Sequence, residues 1–132
     1  PMSTPHTSSG PPRPSHNRTL GARGEAHAEQ FLLERGFQLI DKNWRCRHGE
    51  LDLVMRDGDT FVAIEVKTRS SLGYGSPLEA ITAQKASRLR RLLLEWASEH
   101  GKRGSRLRID GVGIVLDPDG SSPRIDHLQG IS

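Results

Sequence analysis

The sequence predicts an α/β domain, a three-layer-type sandwich on a mixed central sheet. Two observations carry this. Strand and helix signals follow one another in the order αβββαββ, and the stretch Gly49 to Lys67 reads as a hairpin whose second arm is rich in β-branched and aromatic residues. At 132 residues the chain has the length of a single domain with a modest core.

Residues 1–19 are dominated by Pro, Ser, Thr and Gly, with almost nothing to bury. They predict a disordered N-terminal tail ahead of an ordered domain at 20–132. Gly21 to Arg35 reads as the first helix, with Ala28, Phe31, Leu32 and Leu33 apolar and Gly36 as its stop. At 100° per residue Glu25 projects close to Ala28 and Leu32, whereas Glu29 and Glu34 point to solvent. An acid on a buried stripe is costly unless paired or bound to a metal. The alternative is a half-exposed first-turn Glu favoured by the helix dipole. Gly21 and Gly24 are poor helix-interior residues, which implies that something packs closely against them.

A short strand from Phe37 to Asp41, continued by Asn43-Trp44-Arg45, leads into the hairpin. Leu51, Leu53 and Met55 alternate with Glu50, Asp52 and Val54, and Asp57-Gly58 signals a type I′ turn. Glu65 and Lys67 then share a strand face with Phe61 and Ala63. A two-residue Asp57-Gly58 loop pairs Asp52 with Ala63, leaving Asp52 diagonal to Glu65 at about 7–8 Å. A four-residue loop sets Asp52 directly opposite Glu65, and a three-residue loop turns it to the other face. Even loops thus gather two carboxylates and an ammonium. Such a pair suits Mg²⁺, which takes one or two carboxylates and completes its shell with water and phosphate; without a cation one member is driven to hold a proton. The competing reading is a solvated strand face with a Glu–Lys pair.

Arg45, Arg47 and His48 precede Gly49-Glu50, and their location beside this patch makes them phosphate-contact candidates. Trp44 reads as core. Glu50 shares the parity of Asp52 and can support it. The loop Thr68 to Ser76 carries Arg69 and Tyr74, a residue able to stack on a base or pack on the protein. A second helix is expected from a Ser76 cap, with Pro77 at N1 and Glu79 at N3, to about His100. Its buried stripe is Leu78, Ile81, Leu89, Leu92, Leu93 and Trp96. Lys85 lies on that stripe, and Arg88, Arg90 and Arg91 make a basic flank suited to a nucleic-acid backbone. Leu107 to Leu116 reads as a central strand with an Arg108–Asp110 ion pair at its start. Asp117 to Gly120 is a turn, and Arg124 to Leu128 an edge strand.

Composition narrows the function classes. A net charge of +3 permits a nucleic-acid partner without demanding one. The single Cys46 excludes an intrachain disulfide and suits a reducing compartment. No apolar run approaches the roughly 18–20 residues that span a bilayer, and no secretory signal is evident. The expectation is a cytoplasmic protein with no membrane partner. There is no Ser-His-Asp context for a nucleophilic triad.

Asp52 followed by Glu65-Val66-Lys67 resembles the PD-(D/E)xK nuclease signature, with Leu51 where that name implies Pro. The wider set Gly21-x-x-Gly24-Glu25-x-x-Ala28, Gly49-Glu50-Leu51-Asp52-Leu53, Glu65-Val66-Lys67-x-Arg69, Lys85 and Arg108-Ile109-Asp110 resembles the bacterial UPF0102 (YraN) family. That resemblance covers roughly Leu20 to Leu116. It implies a restriction endonuclease-like fold, similar to archaeal Holliday junction resolvases. It further implies a metal-dependent endonuclease-like activity hydrolysing phosphodiester bonds in DNA, with branched and single-stranded DNA among the candidate substrates and DNA favoured over RNA. Asp52, Glu65, Lys67 and Glu25 are then the catalytic set, with Asp52, Glu65 and Glu25 as ligands of Mg²⁺ or Mn²⁺ and Lys67 orienting the attacking water. Arg45, Arg47, Arg69, Tyr74, Lys85 and Arg88 are the candidate nucleic-acid contacts, and a homodimer is implied only by the likeness to resolvases, which make two symmetric cuts as dimers. Two alternatives stand beside this: a catalytically silent nucleic-acid-binding module, and an adaptor in a DNA-processing complex.

Overall fold

The structure, a computed structural model, describes residues 15–70, 75–117 and 122–131. Its elements are α1 (Ser15–Glu34), β1 (Gln38–Cys46), β2 (Gly49–Asp57), β3 (Thr60–Arg69), a one-turn 3-10 helix (Pro77–Ala80), α2 (Ala83–Glu99), β4 (Arg106–Val115) and β5 (Arg124–Leu128). The strands form one open sheet in the order β1-β2-β3-β4-β5. Only β3 and β4 run parallel; the other neighbours are antiparallel. The expected αβββαββ order and mixed sheet are both present.

Side-chain alternation sends the sheet's apolar residues to two cores. Val62 and Ile64 of β3 pack with Val112, Ile114, Ala28 and Leu32, so α1 covers that face. Phe61 and Ala63 pack with Ile109, Leu89, Leu93 and Trp96, so α2 covers the other. Burial of Leu- and Ile-sized side chains, at about 1.5–3 kcal/mol each, fixes both helices to the sheet.

α1 starts at Ser15 rather than at the expected Gly21, so the helix takes in the last residues of the expected tail. The last proline of the tail is Pro14, and Ser15 to Thr19 contains no breaker. Residues 1–14 lie outside the described residues. The stop at Gly36 is as expected. Gly36 takes φ +92°, its N–H donates to Leu33 O at 3.0 Å, and Phe37 N–H donates to Leu32 O at 3.0 Å. This is a Schellman motif sealed by the buried Leu32–Phe37 pair.

The hairpin turn differs by one residue from the expected Asp57-Gly58. Asp57 pairs with Thr60, leaving Gly58-Asp59 as the loop. Gly58 has φ +63° while Asp59 keeps negative φ, the pattern of a type II′ turn rather than I′. The ladder continues to Leu53↔Ile64, and its register places Asp52 level with Glu65. In β1, the register slips between Leu39 and Asp41, which makes Ile40 a bulge, and Asn43 adopts φ +55°.

The expected single helix from Ser76 is two pieces. Ser76 Oγ accepts from Leu78 N–H at 3.1 Å and caps only the 3-10 turn. Ile81 is extended, and Thr82 opens α2 by accepting from Lys85 N–H at 3.1 Å. Tertiary packing explains the break. The 3-10 turn lies flat on β4 at two glycines, and a Cβ on Gly113 would meet Leu78 Cγ at 3.0 Å. The expected stripe of Leu89, Leu92, Leu93 and Trp96 is buried, while Leu78 and Ile81 are half-buried.

Candidate functional site

The candidate site lies where β2 and β3 part company. Pairing between them ends at Leu53↔Ile64, while β3 continues beside β4 through Glu65↔Gly111 and Lys67↔Gly113. Alternation on β2 also changes here: Leu53 packs toward α1, but Leu51 joins the α2 core. Asp52 lies between them, and its carboxylate accepts from Val66 N–H at 3.2 Å. Glu65 therefore follows directly on the apolar run Phe61 to Ile64 and is itself only 7% exposed.

Two lysines meet Glu65. Lys85 Nζ lies 2.9 Å and Lys67 Nζ 3.5 Å from Glu65 Oε2. Because α2 is capped at Thr82, Lys85 belongs to its first turn rather than to the middle of a longer helix. Glu50, Asp52, Glu65, Lys85, Arg88, Leu89 and Leu92 line a cavity of about 270 Å³ over these groups. Three carboxylates, one ammonium and one guanidinium thus share one concavity, with the Lys67 ammonium beside it against Glu65.

The electrostatics follow from this crowding. Burial first, then the charge of Glu65, pushes Asp52 up to about 7; the charges of Glu25 and Glu50 add to the rise, and the Val66 N–H opposes it. Glu25, on α1, is thereby close enough to be felt at Asp52. Its helix approaches β3 closely at Gly24, where a Cβ would collide with the Thr68 side chain. Lys67 is held below the ordinary lysine value, by burial first and then by the adjacent Lys85, with Glu65 opposing. Burial also pulls Lys85 down, but contacts with Glu65 and Lys67 outweigh it and leave Lys85 raised.

The donor set suits a small hard cation. Carboxylate oxygens are the ligands such ions take, and an acid that holds its proton to about pH 7 sits where positive charge is wanted. Asp52 and Glu65 could offer oxygens to such an ion, and Glu25 on α1 is near enough to influence Asp52.

The expected nucleic-acid contacts divide. Lys85 and Arg88 line the cavity itself. Arg45 lies at its rim through a 3.6 Å ion pair with Glu50, and Arg47 is exposed in the two-residue β1–β2 turn. Arg69 closes β3, its carbonyl accepting from Leu116 N–H at 2.8 Å. Tyr74 lies outside the described residues. Trp44 is partly buried against the α2 core.

The Arg108–Asp110 pair is present, and it braces the opposite face of the sheet. Arg108 Nε and Nη2 donate to Asp110 at 2.9 and 3.0 Å, and Arg108 also reaches Asp57 at 3.0 Å. Sequence reasoning missed two further partners: His127 Nε2 at 2.8 Å and the Gly130 N–H at 3.0 Å. No spacing signal links these to Asp110, since only the β4–β5 register brings them together. Burial alone would raise Asp110, but the hydrogen bonds from His127 and Arg108 outweigh it and hold the carboxyl below its usual range.

Fold and site together define a small α/β domain with a lysine-flanked carboxylate cluster at one end of a mixed sheet. The chain belongs to the UPF0102 family: the model of that family, described as an uncharacterised protein family, matches residues 24–114. The match spans Glu25, Asp52, Glu65, Lys67 and Lys85. A UPF0102 protein of Rhodococcus jostii is 47% identical over 115 residues, covering 87% of this chain and 97% of that protein. One from Nocardioides sp. is 52% identical over 114 residues, 86% of this chain and 91% of the relative. One from Clavibacter michiganensis is 52% identical over 115 residues, 87% and 97% respectively. Among the described residues no helix is long and apolar enough to cross a membrane.

Proposed function

We propose that this domain is a divalent-cation-dependent endonuclease of restriction endonuclease-like fold, hydrolysing phosphodiester bonds in DNA. The observation that carries the reading is the convergence of Asp52, Glu65 and Lys67, with Lys85 in addition, where β2 separates from β3. Asp52 and Glu65, assisted by Glu25, would hold Mg²⁺ or Mn²⁺. The ion would polarise the phosphate and acidify a water. Lys67, already below its ordinary proton affinity, is suited to position that water and manage its proton. Lys85 and Arg88 line the same cavity and offer fixed positive charge to non-bridging phosphate oxygens. Arg45 at the rim and Arg47 in the adjoining turn extend that charge along a bound backbone.

A second reading has its own observation. Both ammoniums lie against Glu65, so the carboxylate already has counter-charge. This favours a silent nucleic-acid-binding module over an enzyme. Cleavage of labelled single-stranded, duplex, flap and four-way-junction DNA separates the two, with Mg²⁺ or Mn²⁺ and wild type against Glu65→Ala. Metal-dependent cutting abolished in the variant supports the nuclease. Salt-sensitive binding without cutting, unchanged in the variant, supports the module, and neither cutting nor binding leaves the adaptor.

A further inference from the structure

A second cluster of metal-ligating side chains stands outside the carboxylate site. Cys46, His48 and Glu95 each bring one ligand atom, and these atoms all lie within 4.8 Å of one another. We propose that Cys46, His48 and Glu95 bind a borderline transition-metal ion of the Zn²⁺ class, with a fourth position open to solvent.

The cluster is assembled by the fold rather than by chance proximity of long side chains. Cys46 pairs with Gly49, which leaves Arg47-His48 as a two-residue turn with His48 N–H donating to Cys46 Sγ at 3.4 Å. Glu95 arrives from α2, and its Oε1 lies 3.1 Å from His48 Nδ1. Turn and helix are in direct contact, since a Cβ on Gly49 would meet Leu92 Cδ1 at 3.1 Å. Metal–ligand bonds of about 2.0–2.3 Å in a tetrahedral shell require ligand atoms about 3.3–3.8 Å apart. Small rotations of His48 and Glu95, whose side chains are 59% and 37% exposed, cover the remaining gap.

Ligand chemistry sets the class of ion. A thiolate and an imidazole suit Zn²⁺, Co²⁺ and their like, whereas Mg²⁺ takes oxygen ligands and keeps its waters. A thiolate and a carboxylate also neutralise a divalent charge, which limits repulsion by nearby arginines. Three protein ligands and one open position is the pattern of an accessible rather than a sealed zinc site. The open side faces a cavity of about 400 Å³ lined by His48, Arg88, Arg91, Leu92 and Glu95. Its two guanidiniums favour an anionic fourth ligand. This site does not depend on the nuclease reading.

The test is titration of the full metal-free chain, in reducing buffer, with Co²⁺ and then Zn²⁺. One equivalent of Co²⁺ is expected to produce a thiolate-to-cobalt charge-transfer band in the near ultraviolet, which Zn²⁺ displaces and excess Mg²⁺ does not. Cys46→Ser removes the band, and His48→Gln and Glu95→Gln each weaken Zn²⁺ binding by at least about tenfold. His48 and Glu95 are exposed enough that their variants test the site even if Cys46→Ser folds poorly. Asp52→Asn leaves Zn²⁺ affinity unchanged. Absence of the band, Zn²⁺ affinity unaltered in His48→Gln, or Zn²⁺ binding lost in Asp52→Asn would each overturn the proposal.

Discussion

Asp52→Asn is expected to stabilise the fold in a way that grows with pH. The folded protein raises Asp52 from 3.8 to about 7, so the native state holds this proton more tightly than the unfolded chain does. The sign is the reverse of that for a salt-bridged carboxylate: stability falls as pH rises from about 4 to about 7 and is level above that. Asn at this position stays neutral throughout and still presents an oxygen to the Val66 N–H. Between pH 5.5 and pH 8 the native state loses about 2 kcal/mol of the stability that this bound proton confers, at 1.36 kcal/mol per pH unit below the folded value. The asparagine variant therefore gains about 2 kcal/mol on wild type over that interval, whatever constant difference the substitution brings. Urea unfolding in EDTA at the two pH values measures this directly. Parallel pH profiles for the two proteins would show that Asp52 is ionised without penalty, and would remove the electrostatic argument for a cation there. Mg²⁺ at ten times its dissociation constant is expected to restore about 1.4 kcal/mol to wild type at pH 8 and little to Asp52→Asn.

Three further outcomes are expected. Asp110→Asn breaks a fully buried carboxylate from Arg108, His127 and Gly130 and costs about 3 kcal/mol in chemical denaturation, because charged and polar partners are left buried. Asp110 is held below its usual range, so wild type keeps this contribution above about pH 4 and loses it as the pH falls further; an acid-unfolding midpoint no lower than that of the variant contradicts this. Gly24→Ala drives a methyl into Thr68 at the closest approach of α1 to β3, costing about 1–3 kcal/mol and lowering divalent-cation affinity as Glu25 is displaced; calorimetric titration reads the second effect. Thr82→Ala removes the α2 cap at about 1 kcal/mol, read as a lowered melting temperature, and loosens Lys85 from Glu65.

Much of this protein is set by local pattern. Alternation and β-branched content define β2 and β3, Gly36 ends α1 because a Schellman turn needs positive φ, and the stripe from Leu89 to Trp96 needs only helical period to be seen. Glu65 and Lys67 are bound to share a face by the two-residue repeat of a strand. What local pattern leaves open is everything that depends on a second element. The turn falls at Gly58-Asp59 rather than Asp57-Gly58 because Asp57 pairs with Thr60, and that one-residue choice sets Asp52 level with Glu65 instead of diagonal to it. The capping signal at Ser76 is genuine, yet packing of Leu78 onto the β4 glycines halts that helix and hands the start of α2 to Thr82. Lys85 reaches Glu65 as a result. The meetings of Glu95 with His48, and of His127 with Asp110, are likewise tertiary. Residues far apart in the chain carry no mutual signal until sheet register and helix docking bring them within a hydrogen bond of one another.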